Sequence, residues 1–216
     1  WTYSGNTELT VSIVNRVATV GIPGVNWNGS ETITFTATDP GALSDGDAAG
    51  FTVTAVNDVP VFTKGADQTV SEDAGPQTMV NWATGIDDGD PELSQVLTFQ
   101  VSNDNTTLFS VQPSVTSAGT LSYTPAADAN GTATVTLSLR DDGGIANGGD
   151  DTSDPQSFTI TVTAVNDPPV VDDIPDQSVA EGGSFVAINL DDYVSDVDNT
   201  DSEITWGYSG NTELTV

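Results

Sequence analysis

Alternating apolar and polar residues mark the periodic segments of this chain. Residues 33–37, 134–139 and 158–162 each place an apolar residue at every second position, with Thr or Ser between them. A period of two puts the apolar side chains on one face of a β-strand and the polar ones on the other. No segment shows the 3.6-residue period of an amphipathic helix, and Asp, Asn, Gly and Pro fill the intervals as turn formers. The pattern therefore predicts an all-β chain of short strands.

Residues 59–167 hold enough periodic segments for one complete β-sandwich. The predicted strands lie near residues 67–72, 77–82, 96–102, 107–112, 119–124, 132–140 and 157–165. About seven short strands in roughly 100 residues are typical of an immunoglobulin-like, Greek-key sandwich. Phe99 falls in the third predicted strand, where such domains often bury an aromatic ring, and Trp1 and Trp206 fall at the matching place in the flanking segments. We expect all three rings to lie in the core.

The chain repeats itself, and the repeats define its domain organisation. The run VTAVND occurs at residues 53–58 and again, 109 residues later, at 162–167. Residues 1–11 and 206–216, which lie 205 residues apart, differ at one position, WTYSGNTELTV against WGYSGNTELTV. Two domain types are therefore expected to alternate in a longer protein. The predicted units are the C-terminal part of a sandwich at 1–58, a complete sandwich at 59–167 and the N-terminal part of the next at 168–216.

The charge of the chain restricts its partners. It has 32 Asp and Glu residues against 3 Lys and Arg, which gives a formal net charge of −29. Like-charge repulsion excludes nucleic acid and makes an anionic membrane surface an unsuitable partner. No run of apolar residues is long enough to insert across a bilayer. Cysteine and histidine are absent, which excludes disulfides, Cys/His zinc sites, cysteine nucleophiles and His-based catalytic triads.

The acidic residues gather in the predicted turns. Strand direction alternates in a sandwich, so the loop after the second strand, the loop after the sixth strand and the incoming linker share one end, the first pole. The outgoing linker lies at the opposite end, the second pole. The first pole is predicted to collect Asn57, Asp58, Asp87, Asp88, Asp90, Asp141 and Asp142. The second is predicted to collect Glu72, Asp128, Asn166 and Asp167, faced by Asp196, Asp198, Asn199 and Asp201 of the next unit.

Converging carboxylates predict a bound cation. Without one, such a cluster costs several kcal/mol of repulsion at the effective dielectric constant of a partly buried site. Calcium accepts about six to eight oxygen ligands in a flexible geometry, which suits mixed loops better than the strict octahedron of Mg²⁺. Zinc is disfavoured without His or Cys. We therefore predict Ca²⁺ at one or both poles. The alternative is that these acids are solvated turn residues on a halophilic or marine surface protein.

The order of several short motifs resembles a known family. Residues 123–132 read YTPAADANGT, Asp141 and Asp142 precede Gly143 after the next strand, and the last strand closes with AVNDPP. This order, seen twice in the chain, is similar to the cadherin-like, immunoglobulin-like tandem repeats of giant bacterial adhesins and surface proteins. The resemblance implies an extended extracellular array at the cell surface, stiffened by calcium. Its metal positions match Glu72, Glu181, Asp87, Asp88, Asp90, Asp196, Asp198 and the Asn-Asp pairs at 57–58 and 166–167.

A structural role is the leading interpretation of these features. The sequence shows no Ser-Lys, Gly-x-Ser-x-Gly or phosphate-loop pattern, so we expect no enzymatic activity. The chain is then a calcium-stiffened spacer repeat of a large adhesin or cell-surface filament. Two alternatives remain open at this point. One is a carbohydrate-binding or ligand-recognition module, with Trp27 and Trp82 as candidate stacking platforms, and the other is a component of an S-layer or sheath.

Neighbouring copies of the same repeat are the predicted partners. Neither residues 1–58 nor residues 168–216 contain the strands needed to close a sandwich, and an open sheet edge with an apolar face favours association. The end of one unit could complete the beginning of another in two ways. These are covalent continuation of a longer chain and head-to-tail self-assembly of separate chains by strand complementation.

Overall fold

β-strands make up the regular structure of the chain, as the alternating pattern predicts. The computed structural model describes residues 1–91 and 93–212, so the last four residues of the repeat at 206–216 lie outside it. Within the described residues the helical elements are short 3-10 turns, at Thr106–Leu108, Ala146–Gly148, Leu190–Tyr193 and Asp201–Glu203. The prediction of an all-β fold is confirmed.

Residues 1–58 form two antiparallel sheets. The strands are β1 (Thr2–Ser4), β2 (Thr10–Val14), β3 (Val17–Gly21), β4 (Gly29–Thr38) and β5 (Ser44–Val53). β4 pairs with β1 and β5, and β2 pairs with β3. The fully buried apolar side chains described here are few, Leu9 and Ile33. Trp1 is 64% exposed, so the prediction that its ring lies in a core is wrong, because no described strand of this region covers it.

Residues 61–163 contain the complete sandwich. Its strands are β6 (Val61–Thr63), β7 (Gln68–Ser71), β8 (Gln77–Met79), β9 (Thr84–Asp87), β10 (Thr98–Asn103), β11 (Phe109–Val115), β12 (Leu121–Pro125), β13 (Gly131–Arg140) and β14 (Gln156–Thr163). One sheet has the order β10-β13-β14-β7, with β7 parallel to β14, and the other has the order β11-β12-β8. β6 pairs with β9 at one edge. Two facing sheets of this composition form an immunoglobulin-like sandwich.

The core of this sandwich lies between the two sheets. β13 shows the predicted alternation, with Val135, Leu137 and Leu139 all buried. Phe99 is also buried, as predicted, and its ring meets that of Phe62 edge-on with 5.0 Å between centroids. Because rings of this size remove a large apolar area from water, they dominate the stability of a small sandwich.

The predicted second strand, near 77–82, is shorter than expected, and a further strand, β9, follows it where a loop was predicted. Asn81 takes a left-handed conformation, with φ of 56°, and separates β8 from β9. β8 then pairs with β12, whereas β9 pairs with β6. Trp82 follows this bend and packs its ring on Phe158, with 4.4 Å between centroids. The chain therefore passes from one sheet to another at this bend, and the ring of Trp82 packs beside it.

Residues 168–212 carry little regular structure. Two short strands, β15 (Val170–Val171) and β16 (Val194–Ser195), pair antiparallel. The segment between β15 and the 3-10 turn at Leu190–Tyr193 contains no strand, although the first-strand motif DQTVSED of the complete sandwich recurs here as DQSVAEG. Trp206 lies outside any strand and is half-buried, so the prediction that it sits in a core strand is wrong. The chain around Trp206 joins none of the described sheets.

Candidate metal centres at the two poles of the sandwich

Asn57 ties the incoming linker to the first pole. Its side-chain nitrogen donates hydrogen bonds to Oδ1 of Asp141, at 3.0 Å, and to the backbone carbonyl of Asp150, at 2.8 Å. The backbone N–H of Asp150 donates in return to the carbonyl of Asn57. The linker is therefore held by the loop between β13 and β14, as the alternation of strand direction predicts.

Gln95 joins the loop between β9 and β10 to the same network. Its side-chain nitrogen donates to Oδ1 of Asn57, at 2.5 Å, and to Oδ2 of Asp90, at 2.9 Å. Its backbone N–H donates to Oδ2 of Asp88, at 2.7 Å, and its side-chain oxygen accepts from the N–H of Gly143. Sequence analysis missed Gln95, because a neutral side chain carries no charge signal of a cation site.

The other predicted residues of the first pole make contacts outside the network of Asn57 and Gln95. Oδ1 of Asp142 accepts the backbone N–H of Val96, at 2.8 Å, and so bridges the two loops. Asp87 accepts the N–H of Gly89 within its own turn. Asp58 is half-buried and lines a surface cleft together with Trp27. The structure therefore places Asp58 toward the preceding unit rather than in the network around Asn57.

Glycine is required where the loop crosses the linker. Gly89 has a left-handed φ of 79°, and a Cβ there would collide with the backbone carbonyl of Val59. A side chain would therefore push the acidic loop away from the linker. This close approach holds Asp88 and Asp90 beside the linker residues that precede Val59.

Asp141 is the most buried carboxylate of the first pole. The residue is 4% exposed, and its Oδ1 accepts hydrogen bonds from Asn57 and from the N–H of Gly143. Its Oδ2 is buried and has no hydrogen-bond partner. A buried charged oxygen without a partner is costly, and a bound cation is one of the few groups that can satisfy it.

Glu72 anchors the second pole and is 2% exposed. Its Oε1 accepts the backbone N–H of Val165, at 2.7 Å, and its Oε2 accepts the side-chain nitrogen of Asn130, at 3.3 Å. The N–H of Glu72 donates to the carbonyl of Thr163. The end of β7 is thereby fixed to the outgoing linker and to the turn between β12 and β13.

The outgoing linker meets the next unit through Asp167. Its backbone N–H donates to Oδ2 of Asp198, at 2.7 Å. The N–H groups of Asp198 and Asn199 both donate to Oδ1 of Asp196, at 2.9 and 2.8 Å. Oδ2 of Asp167 and Oδ2 of Asp196 are buried without a hydrogen-bond partner. Buried carboxylate oxygens without a hydrogen-bond partner therefore occur at both poles.

The electrostatics of the second pole reflect its uncompensated charge. Burial raises the pKa of Asp167 above its usual value, and the like charges around it raise the pKa further. Those charges belong to Asp73, Asp128, Asp198 and Glu72. Four negative groups therefore act on one linker carboxylate.

Three predicted positions stay outside these contacts. Asn166 is exposed and donates to the carbonyl of its neighbour Asp167. Asp128 is exposed in the turn before β13, with a left-handed φ of 56°, and acts on Asp167 through its charge. Glu181 is exposed on a turn of the segment that follows β15. In the repeated motif, Glu181 takes the position that Glu72 has 109 residues earlier.

The acidic side chains of each pole lie near one another, but they do not converge on a common point. Across residues 1–91 and 93–212, no group of three or more Asp or Glu side chains is placed so that it could hold a metal ion. The partnerless oxygens of Asp141, Asp167 and Asp196 nevertheless fit a hard cation, since carboxylate oxygen is the ligand that Ca²⁺ prefers.

No helix in the described part of the chain has the length and apolar character to cross a membrane.

Comparison with known proteins identifies a structural likeness. No protein-family model matches the sequence, and no curated protein matches it. Human protocadherin-24 EC1-2 is similar over 77% of this chain and 82% of its own, with 13% identity and a TM-score of 0.48. A second crystal form gives 16% identity and 0.49, over 75% and 80% of the two chains. Chicken VE-cadherin EC1-2 gives 17% and 0.37, over 74% and 82%.

The chain is similar in structure to cadherin extracellular repeats. At these identities and TM-scores the likeness carries no information about what this chain binds. The sandwich is therefore assigned from its own strand pairing, and the two poles from their own hydrogen bonds.

Proposed function

We propose that this chain is a structural spacer repeat of a large extracellular adhesin or cell-surface filament, stiffened by calcium at the junctions between its units. The observation that carries the proposal is the burial of three partnerless carboxylate oxygens, on Asp141, Asp167 and Asp196. Asp141 lies in the loop that binds the incoming linker, and Asp167 and Asp196 lie where the outgoing linker meets the next segment. A cation at each pole would satisfy these oxygens and join the two units that meet there.

Each junction would draw its ligands from several segments. Carboxylates, an Asn side chain, backbone carbonyls and water together can supply the oxygens that Ca²⁺ accepts. The first junction would use Asn57, Asp58, Asp87, Asp88, Asp90, Asp141 and Asp142. The second would use Glu72, Asp128, Asn166, Asp167, Asp196 and Asp198, and Glu181 would serve the junction that follows. Asp58, which faces the preceding unit, would give the first junction a ligand from the linker itself.

The mechanical effect follows from where the linkers are held. Asn57 binds the loop that starts at Asp141, and Asp167 binds Asp198 across the second linker. A cation bound by the same loops would add charge-based links to these hydrogen bonds and so restrict rotation of one unit on the next. A ligand present at 100 times its Kd stabilises the state it binds by about 2.7 kcal/mol.

The chemistry of the chain favours this role over recognition or catalysis. The acidic groups lie in turns that recur from unit to unit, which is the behaviour of a spacer rather than of one active site. Trp82, a candidate stacking platform for sugars, is buried against Phe158 and donates its ring N–H to the carbonyl of Ala66. The partners we propose are neighbouring copies of the same repeat, outside the cell.

Thermal unfolding of the full chain tests the proposal. We expect the Tm to rise by about 5–10 °C between excess chelator and saturating Ca²⁺, and by less in Mg²⁺. Asp141→Asn and Asp167→Asn should each reduce this rise. Asp47→Asn, which removes an exposed charge from β5, is the matched control and should keep it. Equal melting temperatures in Ca²⁺ and chelator would overturn the proposal.

A further inference from the structure

The loop between β13 and β14 is closed at its base before it reaches the linker. The backbone N–H of Asp141 donates to the carbonyl of Asp151, at 3.1 Å. The guanidinium of Arg140 donates to Oδ2 of Asp151 through Nε, at 3.2 Å, and through an Nη nitrogen, at 2.8 Å. Residues 142–150, here called the strap, therefore form a compact loop whose two ends are held together.

The strap contributes nothing to the core of the sandwich. None of its residues, all of which the structure describes, is buried, and its one large apolar residue, Ile145, is 71% exposed. Four of its nine residues are glycines, which lose the most conformational freedom when a chain becomes ordered. A loop that removes so little apolar area from water has no hydrophobic gain to offset this cost. Its order therefore depends on hydrogen bonds to its surroundings.

Asn57 is the residue on which the strap closes. Its side-chain nitrogen donates to Oδ1 of Asp141 and to the backbone carbonyl of Asp150, at the two ends of the strap. Its backbone carbonyl accepts the N–H of Asp150, at 3.2 Å, and its side-chain oxygen accepts the side-chain nitrogen of Gln95. These four hydrogen bonds attach one linker residue to both loops of the first pole.

Two glycines of the strap leave room for Asn57. A Cβ at Gly143 would collide with Oδ1 of Asn57, and a Cβ at Gly149 would lie 3.0 Å from the Cβ of Asn57 and 3.1 Å from its backbone nitrogen and oxygen. Neither glycine has a left-handed φ, so their backbone conformations are open to other residues. A side chain at either position is excluded by the close approach of the linker.

The position requires an amide side chain. An aspartate at position 57 would lose both N–H donors and bring a second carboxylate against Asp141. An alanine would leave Oδ1 of Asp141 without the linker donor, beside an Oδ2 that already has no partner. The N–H of Asn57 therefore satisfies one oxygen of this buried carboxylate with a neutral group of the protein itself.

We propose that the strap and Asn57 form a clasp that fixes the incoming linker to the complete sandwich without a cation. The linker orders the strap and the strap orders the linker, so the two open and close together. The first junction then stays closed when calcium is removed. This inference goes beyond the proposed role of calcium and does not depend on it, because the hydrogen bonds of the clasp join protein groups.

Hydrogen exchange of the full chain in excess chelator tests the clasp. The backbone N–H groups of Gly143 and Asp150 are hydrogen-bonded in the closed strap, so we expect both to be protected. Asn57→Ala should raise their exchange rates about tenfold or more, because several hydrogen bonds hold the strap closed. The N–H of Asp141, at the base of the strap, should keep its rate, which shows that the sandwich stays folded.

Two further comparisons separate the clasp from a general loss of stability. Asn166→Ala is the matched control for Asn57→Ala, because the Asn166 side chain donates to the carbonyl of its neighbour and makes no contact with the strap. Gly143→Ala opens the clasp while leaving every polar group of Asn57 in place, and should also speed exchange at Asp150. Gly24→Ala is its control, because a Cβ there meets no atom within 4 Å.

Unprotected strap amides in the natural chain would overturn the inference, as would exchange at Asp150 that neither Asn57→Ala nor Gly143→Ala changes. If Asn57→Ala also speeds exchange at Asp141, the comparison of Gly143→Ala with Gly24→Ala decides. The calcium proposal is tested separately by the melting temperatures. Protection in chelator without a calcium-dependent rise in Tm would support the clasp and remove the role of calcium, and protection that appears only in Ca²⁺ would do the reverse.

Discussion

The side-chain nitrogen of Gln95 lies 2.5 Å from Oδ1 of Asn57 and 2.9 Å from Oδ2 of Asp90. A neutral donor thus satisfies two of the oxygens that we propose as calcium ligands at the first pole. It holds the loop between β9 and β10 against the linker without a cation. The same donor must move away if both oxygens are to bind one.

Replacing the side-chain amide of Gln95 with a carboxylate should affect the first pole both without and with Ca²⁺. We expect Gln95→Glu to lower the Tm in chelator, because the new charge repels Asp88 and Asp90, and to tighten Ca²⁺ binding several-fold by adding a ligand. Isothermal titration and thermal unfolding measure the two effects. Gln95→Met, which removes the donor without adding charge, should lower the Tm in chelator without tightening binding. Weaker Ca²⁺ binding by Gln95→Glu would contradict this account of the pole.

Asp141 should lower stability in the absence of calcium. Its buried Oδ2 has no partner, and a buried polar group left without one costs about 1–3 kcal/mol. We expect Asp141→Asn, which removes the buried negative charge, to raise the free energy of unfolding in chelator and to reduce the gain on adding Ca²⁺. Chemical denaturation in both buffers measures the change. A loss of stability in chelator would show instead that the charge is compensated, and Asp47→Asn controls for the change in net charge.

Local patterns in the sequence account for most of the fold. The predicted strand near 132–140 is β13 at Gly131–Arg140, and the one near 96–102 is β10 at Thr98–Asn103. A period of two with Asp, Asn or Gly at each end is a local signal, so these bounds need no tertiary information. The bend at Asn81 and the pairing of β6 with β9 were not predicted. They depend on how the ring of Trp82 packs in the core.

The sequence predicted that the incoming linker and the loop after β13 would meet at one end of the sandwich. Alternating strand direction brings Asn57 and Asp141 together although 84 residues separate them. It could not predict that Asp58 would face the preceding unit, or that Gln95 would bridge two loops. Those details depend on loop conformation, which the alternation of strands leaves open.

Glu31 provides a test of pH dependence away from both poles. Its carboxylate accepts the hydroxyl of Thr7, at 2.6 Å, and the backbone N–H groups of Thr7, Glu8 and Leu9. These bonds, led by the Thr7 hydroxyl, lower the pKa of Glu31 below its usual value. The folded pKa is thus below the unfolded one, so the stabilisation is complete above the ordinary pKa and disappears as the pH falls through the lower folded value.

Removal of the Thr7 hydroxyl should reverse most of this shift. We expect Thr7→Val to raise the pKa of Glu31 toward its ordinary value, as followed by NMR titration of the carboxyl carbon. Thr10→Val is the matched control, because the Thr10 hydroxyl donates to the carbonyl of Gly21 rather than to Glu31. An unchanged titration in Thr7→Val would mean that the three backbone donors alone hold the charge.

The two poles should act independently in calcium binding. β13 spans the sandwich between them with ten residues, which at about 3.3 Å per residue separates the poles by roughly 30 Å. Sites this far apart with no shared partner usually contribute additively, within about 0.5 kcal/mol. We therefore expect the double variant Asp141→Asn with Asp167→Asn to lose a calcium-dependent stabilisation equal to the sum of the two single losses, measured as unfolding free energies in Ca²⁺ and in chelator. A double loss much smaller than the sum would mean that both aspartates serve one cation or one cooperative unit, and the proposal of separate junction sites would fail.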